Sequence, residues 1–260
     1  MNRGPIPPHV VRHGAAVTAV RADNPGALTL TGTQTYVIGT SRLVILDPGP
    51  RDDTHLVRVD RVIGGRPVAA VCFTHAHRDH TAAAQEAAAR WAKLRASAET
   101  LSRLEREGRP LADGEKIALG GGLQLRALAT PGHSADHVCY LLEPDRILFT
   151  GDLVLGEGST MIVHPDGSVR AYLESLARLT ALRPTLLLPG HGSAVERAPA
   201  YLDACRAHRI ERVAQVSRAR KSGARSLQQI REAVYGDLPA SHHQAAEVTL
   251  RAYLAYLEES

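Results

Sequence analysis

With 260 residues, 44% hydrophobic and 22% charged, the chain has the composition of a globular protein able to bury a large core, as one domain or as a catalytic domain with a small satellite. Thirty-one Lys and Arg against twenty-seven Asp and Glu leave a formal charge of +4, which permits nucleic-acid contact without arguing for it. Cys72, Cys139 and Cys205 are odd in number and far apart, so they read as buried thiols rather than a disulfide framework, and no apolar run reaches the ~20 residues of a membrane span.

Residues 1–8 lack the apolar core of a signal peptide, and a cytoplasmic location is the expectation. Apolar or alternating segments then predict strands over 16–20, 35–38, 43–46 and 68–73. Directly after the fourth comes Thr74-His75-Ala76-His77-Arg78-Asp79-His80, followed by an alanine-rich stretch over 81–91 that reads as helix. Residues 93–108, rich in Arg and Glu, are expected to be a surface strand or helix under the rim of a cleft.

A second set of strands is predicted over 123–128, 138–142, 146–150 and 186–188, with a helix over 169–182 between the last two. Helices are predicted over 199–219, 226–235 and 241–258, with Ser226 a good N-cap and Gly236 a good stop. Two strand groups with outer helices imply an αββα sandwich, with a catalytic domain over 1–198 and a small helical domain over 199–260.

The chemistry is concentrated at the ends of the predicted strands. Three histidines and an aspartate fall within the six positions from His75 to His80, on a strand-to-helix loop where side chains converge. Neutral imidazole and carboxylate are the ligands Zn²⁺ accepts, but the run by itself has too few to close two sites. Further candidates follow the same pattern of strand, glycine and ligand: Gly132-His133, Gly151-Asp152 and Gly190-His191. His9, His13, His55 and His208 read as ordinary surface or core histidines.

In this order the residues resemble the HxHxDH motif, the later single His, the Asp and the last His of the metallo-β-lactamase fold superfamily. The resemblance implies that His75, His77 and His133 hold one metal and Asp79, His80 and His191 a second, with Asp152 shared. Two zinc ions are implied, with iron or manganese as alternatives. Their charge would lower the pKa of a shared water towards ~7 and give hydroxide at neutral pH, with Asp79 and Asp152 as the catalytic carboxylates. True β-lactamases of the family carry Cys where this chain has Asp152, so the likeness is to its other hydrolases.

Asn24-Pro25, Gly32-Thr33-Gln34-Thr35-Tyr36, Asp47-Pro48-Gly49, Thr130-Pro131-Gly132-His133 with Asp136-His137, and Gly151-Asp152 with Gly156-Glu157-Gly158-Ser159-Thr160 are similar to the β-lactamase-like-protein-2 group, which includes an animal endoribonuclease. By the same resemblance Asp47 orients a metal-bound histidine, a turn-forming role being equally open. His137 reads first as a buried strand-start histidine, with proton exchange beside the metals as the alternative. His164 is a candidate substrate contact.

The group's winged-helix appendage is matched only by helices, and with the last of them ending just before Ser260 little room is left for a wing. Arg218, Arg220, Lys221 and Arg225 are then the candidate phosphate contacts. Packing on the catalytic domain, shaping the cleft or a dimer contact is the expected use of this part. Three substrate readings follow: a small ester or thioester, single-stranded RNA, or an iron redox module. The small acyl substrate is favoured, because the charge is mild, aromatic residues make up only 4% and the wing is missing.

Overall fold

The computed structural model describes residues 8–259; of the residues read above for a signal peptide, 1–7 lie outside that range. The first half forms β1 (Val10–Arg12), β2 (Val17–Arg21), β3 (Gln34–Ile38), β4 (Leu43–Leu46), α1 (Asp53–Ile63), β5 (Val68–Cys72), α2 (Arg78–Thr81), α3 (Ala84–Arg90), β6 (Leu94–Ala96), α4 (Ala98–Leu104) and β7 (Arg109–Pro110). The second half adds β8 (Lys116–Gly120), β9 (Leu123–Ala129), β10 (Val138–Glu143), β11 (Ile147–Gly151), α5 (Val169–Ala181), β12 (Leu186–Pro189), α6 (Ala198–Lys221), α7 (Leu227–Tyr235), a single 3-10 turn (Ala240–His242) and α8 (His243–Glu258).

Strands β1 to β7 make one sheet in chain order, and β12-β11-β10-β9-β8 make the other. Every residue of β4 is buried because the strand is covered on both faces. Val44 and Leu46 point into the space between the sheets, where they meet the side of the second sheet that carries Leu125, Tyr140, Leu142 and Phe149. Leu43 and Ile45 point the other way, onto Val59 and Ile63 of α1. On the far side of the second sheet, Cys139, Leu141 and Leu148 pack against α5 and the carboxy-terminal helices through Tyr172, Leu176, Leu202, Val213 and Tyr253. The order of layers is helix, sheet, sheet, helix.

Strands β1 and β7 were not anticipated, nor were α1 and β8, although the signals of the last two are present. Helix α1 starts where the Asp52 carboxylate accepts from the Thr54 amide at 2.9 Å, buries Leu56, Val59 and Ile63 at helical spacing, and ends at Gly64 with φ 58°. Strand β8 alternates exposed Lys116, Ala118 and Gly120 with buried Ile117 and Leu119.

Two expectations need correction. The helix over 81–91 is broken in two, because the Ala83 amide turns to the Gly49 carbonyl at 3.2 Å rather than extending α2. Residues 93–108 are not one surface element: β6 joins the first sheet beside β5, and Leu94, Ala96 and Leu101 are buried.

After β12 the described chain is helical. Ser226 forms a capping box with Gln229 at the start of α7, and Gly236 closes that helix with φ 57°. No helix among the described residues is long and apolar enough to cross a membrane.

Candidate metal centre

Seven side chains converge at one edge of the sandwich from loops that follow strands. His75, His77, His133 and Asp152 form one group and Asp79, His80 and His191 the other, and in each group the available ligand atoms lie within 4.8 Å of one another. Close approach there demands glycine. A Cβ on Gly190 would stand 2.7 Å from both Asp152 Oδ1 and His80 Cε1, and one on Gly151, at φ 47°, would meet His137 Nε2 and Thr74 Cβ at the same distance.

Neighbouring groups decide which ring nitrogen faces inward. Thr74 Oγ1 donates to Asp47 Oδ2 at 2.8 Å, so it accepts from His75 Nδ1 at 2.9 Å and leaves His75 Nε2 as a lone pair. His80 Nδ1 donates to Asp47 Oδ2 at 2.9 Å, and His133 Nδ1 to the Met161 carbonyl at 2.6 Å, which again leaves Nε2 free.

The inward atoms are crowded and unsatisfied. His133 Nε2 lies 3.0 Å from His77 Nδ1, and His80 Nε2 lies 3.3 Å from His191 Nε2. Asp152 Oδ1 and His75 Nε2 are buried without any hydrogen-bond partner. Lone pairs and carboxylate oxygens gathered in this way inside a protein suit a shared cation, and nitrogen with oxygen is a donor set suited to divalent zinc, iron or manganese.

Burial pushes His75 well below the ordinary histidine range and His133 down to about 4, keeping both rings neutral as ligation requires. Burial also opposes charge on His80 and His191. There Asp152, helped by Asp79 at both rings and by Asp47 at His80, outweighs it, and His191 is raised to about 9. Burial likewise disfavours ionised Asp152, but His191 and His80 hold its carboxyl well below the usual range.

The edge opens into a cavity of about 910 Å³ with His77, Asp79, His133 and Asp152 at its floor. Leu30, Val154, Met161, Tyr201, Leu238 and Ala246 are among the side chains that line it.

Residues 28–191 match the family described as the Metallo-beta-lactamase superfamily. The chain belongs to this superfamily, and it is a hydrolase. Lactamase-like protein adaB of Aspergillus niger is 30% identical, with 97% of this chain and 83% of that protein covered. The atrochrysone carboxyl ACP thioesterase of Aspergillus chevalieri is 31% identical, with 92% and 79% covered. A crystal structure of a beta-lactamase domain protein from Burkholderia ambifaria superimposes with a TM-score of 0.80 over 98% of this chain and 91% of that one, at 22% identity, which speaks for the fold alone. The relatives are fungal lactamase-like proteins, so they support the superfamily rather than its endoribonuclease-like group.

Within this superfamily site, Asp47 is a hub. It sits at φ 52°, an unfavourable conformation for a non-glycine residue, and its carboxylate accepts from the Thr74 amide at 2.8 Å as well as from Thr74 Oγ1 and His80. His55 braces the same turn: its Nε2 lies 2.8 Å from Thr35 Oγ1, which donates to the Asp47 carbonyl at 2.6 Å.

His137 is buried, with Nδ1 3.1 Å from Thr130 Oγ1 and Nε2 accepting from the Asp152 amide at 3.2 Å. With both nitrogens engaged it has no free position for proton exchange at the metals, and it fixes the backbone that carries Asp152. His164 is half-buried and is not among the residues that line the cavity. Arg218, Arg220, Lys221 and Arg225 are also absent from the lining.

Tyr172, Tyr201, Tyr235, Tyr253 and Arg209, none singled out in the sequence, line the cavity; His208, exposed as a surface histidine, lines it as well. One signal was available: five of the seven tyrosines fall after residue 170.

Proposed function

We propose that this chain hydrolyses acyl thioesters, with the acyl group in the apolar cavity and the reacting carbonyl over the histidine and aspartate cluster. The observation that carries the reading is the cavity itself: the cluster lies at its floor, and much of its lining is aliphatic side chains and tyrosines, with Arg78, Arg209 and Arg212 as the arginines among them. A relative named as an ACP thioesterase agrees with that choice.

In this proposal His75, His77, His133 and Asp152 hold one divalent cation, and Asp79, His80 and His191 hold a second with Asp152 shared; zinc is the metal we favour. When bound, such a pair supplies Lewis acidity and a water of lowered pKa. The chain's own residues do the rest. Asp79, whose side chain is 29% exposed against 12% for Asp152, is the more open of the two ligand carboxylates at the cavity and can accept a hydrogen bond from the attacking water. Asp47 and Thr74 keep the imidazoles of His80 and His75 turned with Nε2 inward. Water adds to the thioester carbonyl and the thiol departs with a proton, giving the free acid.

The proposed division of the chain has the same logic, since residues 1–198 carry the ligands and 199–260 the far wall. The small-molecule substrate goes with the acyl reading, and a cytoplasmic location agrees with three free thiols. The deciding experiment is metal content on chelator-free protein, paired with turnover of aryl and alkyl thioesters, bis(p-nitrophenyl) phosphate and single-stranded RNA. Two metals per chain with thioester turnover are expected. Cleavage of the diester and RNA alone would overturn the acyl reading.

A further inference from the structure

Arg209 lies near the middle of α6, is 1% exposed and lines the cavity. Its guanidinium sits 4.8 Å from the ring centroid of Tyr172 and 5.6 Å from that of Tyr253. One terminal nitrogen donates to the Tyr253 hydroxyl at 2.5 Å. The other donates to the Thr160 carbonyl at 2.8 Å and to Ser159 Oγ at 3.2 Å, while Nε is buried with no partner.

What is missing is a counter-ion. No carboxylate among the described residues forms an ion pair with Arg209, whereas its buried counterpart Arg231, in α7, reaches Glu247 at 3.4 Å. The surroundings add positive character. Arg212 stacks 4.8 Å over Tyr235 on the same wall beside His208, and the acids lining the cavity are Asp79 and Asp152 of the metal site and the exposed Glu157. A buried cation answered only by neutral acceptors and ring faces is costly to keep, and cation–π contact offsets only part of that cost. Guanidinium groups kept in this state are matched to planar anionic oxygens.

We propose that Arg209 recognises an anionic oxygen, a carboxylate or an ionised phenol, carried on the acyl group of the substrate away from the bond that is cut. The site is connected to the reaction centre: Thr160, whose carbonyl accepts from Arg209, also donates through Oγ1 to the carbonyl of Asp152. Arg209 therefore measures the acyl group from one end while the metal site holds the other. Which bond is cut rests on the thioesterase reading; the anion site does not.

The test uses the full chain with its metals and N-acetylcysteamine thioesters of phenylalkanoic acids over a series of chain lengths, each with a ring carboxylate or its methyl ester. At the best-fitting length the wild type is expected to prefer the carboxylate by about tenfold or more in kcat/KM, chiefly through KM. Arg209→Met should abolish the preference, and Arg209→Lys should keep part of it. A wild type without preference at any length, or a preference that survives in Arg209→Met, overturns the proposal and leaves Arg209 as a strut between α6 and the segment that carries Ser159 and Thr160.

Should Arg209→Met fail to fold, inhibition of the wild type by the free ring dicarboxylate against its half-ester decides. Tighter inhibition by the dicarboxylate supports the site, and equal inhibition refutes it. If no thioester is cut but calorimetry detects carboxylate binding that Arg209→Met loses, the thioesterase reading fails while the anion site stands.

Discussion

The floor and the far wall of the cavity are held in different ways. In the cluster at and beneath the floor, His75, His80 and His133 each commit Nδ1 to a named acceptor, at Thr74, Asp47 and Met161, so ring orientation is held by hydrogen bonds. On the far wall, the apolar side chains of Leu238 and Ala246 line the cavity, and they are placed by helix packing and by bonds to the backbone such as that from His243 Nε2 to the Leu238 carbonyl at 2.8 Å. Directional bonds suit a centre that must present lone pairs at fixed places, and non-directional packing suits a wall that only has to match a shape. The difference implies that chemistry and substrate choice can be altered separately.

The sharpest way to break that separation is to remove the carboxylate common to both groups. Asp152→Ala should lower metal content and turnover together, with activity falling about 10³-fold or more. Full metal occupancy by elemental analysis, with activity retained, would contradict the two-metal assignment. Next comes the support of the floor: Asp47→Ala frees His80 and Thr74, and should weaken metal affinity about 10- to 100-fold in a chelator competition assay while the fold persists.

A change to the wall should do the reverse. Ala246→Trp fills part of the cavity and should raise KM for a bulky acyl thioester about tenfold, leaving metal content and the turnover of an acetyl thioester little changed. If both substrates suffer equally, the wall does not select by shape.

The smallest effect concerns His55, beneath the floor. Burial pushes its pKa from 6.5 down to about 4, so the unfolded chain takes up the proton first as pH falls. Stability from this group is complete above pH 6.5 and is lost as pH drops towards 4. His55→Gln should flatten that slope by about 3 kcal/mol at most, measured by denaturant unfolding of both proteins in chelator.

Much of the site was legible because its residues are both rare in kind and regular in place. Histidines and aspartates that follow strand and glycine are conspicuous in a one-dimensional reading, and Asp47 stood out after its apolar strand. His164 read as a cleft residue because of its neighbours in the chain, and it lies outside the cavity's lining. His208 is exposed, as a surface histidine should be, and also lines the cavity. Arg209 could not be singled out among so many arginines, since its meaning lies in the absence of a carboxylate around it, and that is a property of the packed interior.

The sequence by itself determined the αββα order of elements, the superfamily and the identity of the residues at the strand ends, because period-two burial and helical spacing are local patterns and metal-ligand chemistry depends on residue type. Only the tertiary structure decided which nitrogen of each histidine faces inward, that His137 is spent on the Asp152 backbone, and that α6 to α8 close one side of the cavity. Those outcomes depend on contacts between residues as far apart as Asp47 and His80, or Thr160 and Arg209, and such contacts exist only once both sheets and the carboxy-terminal helices have packed.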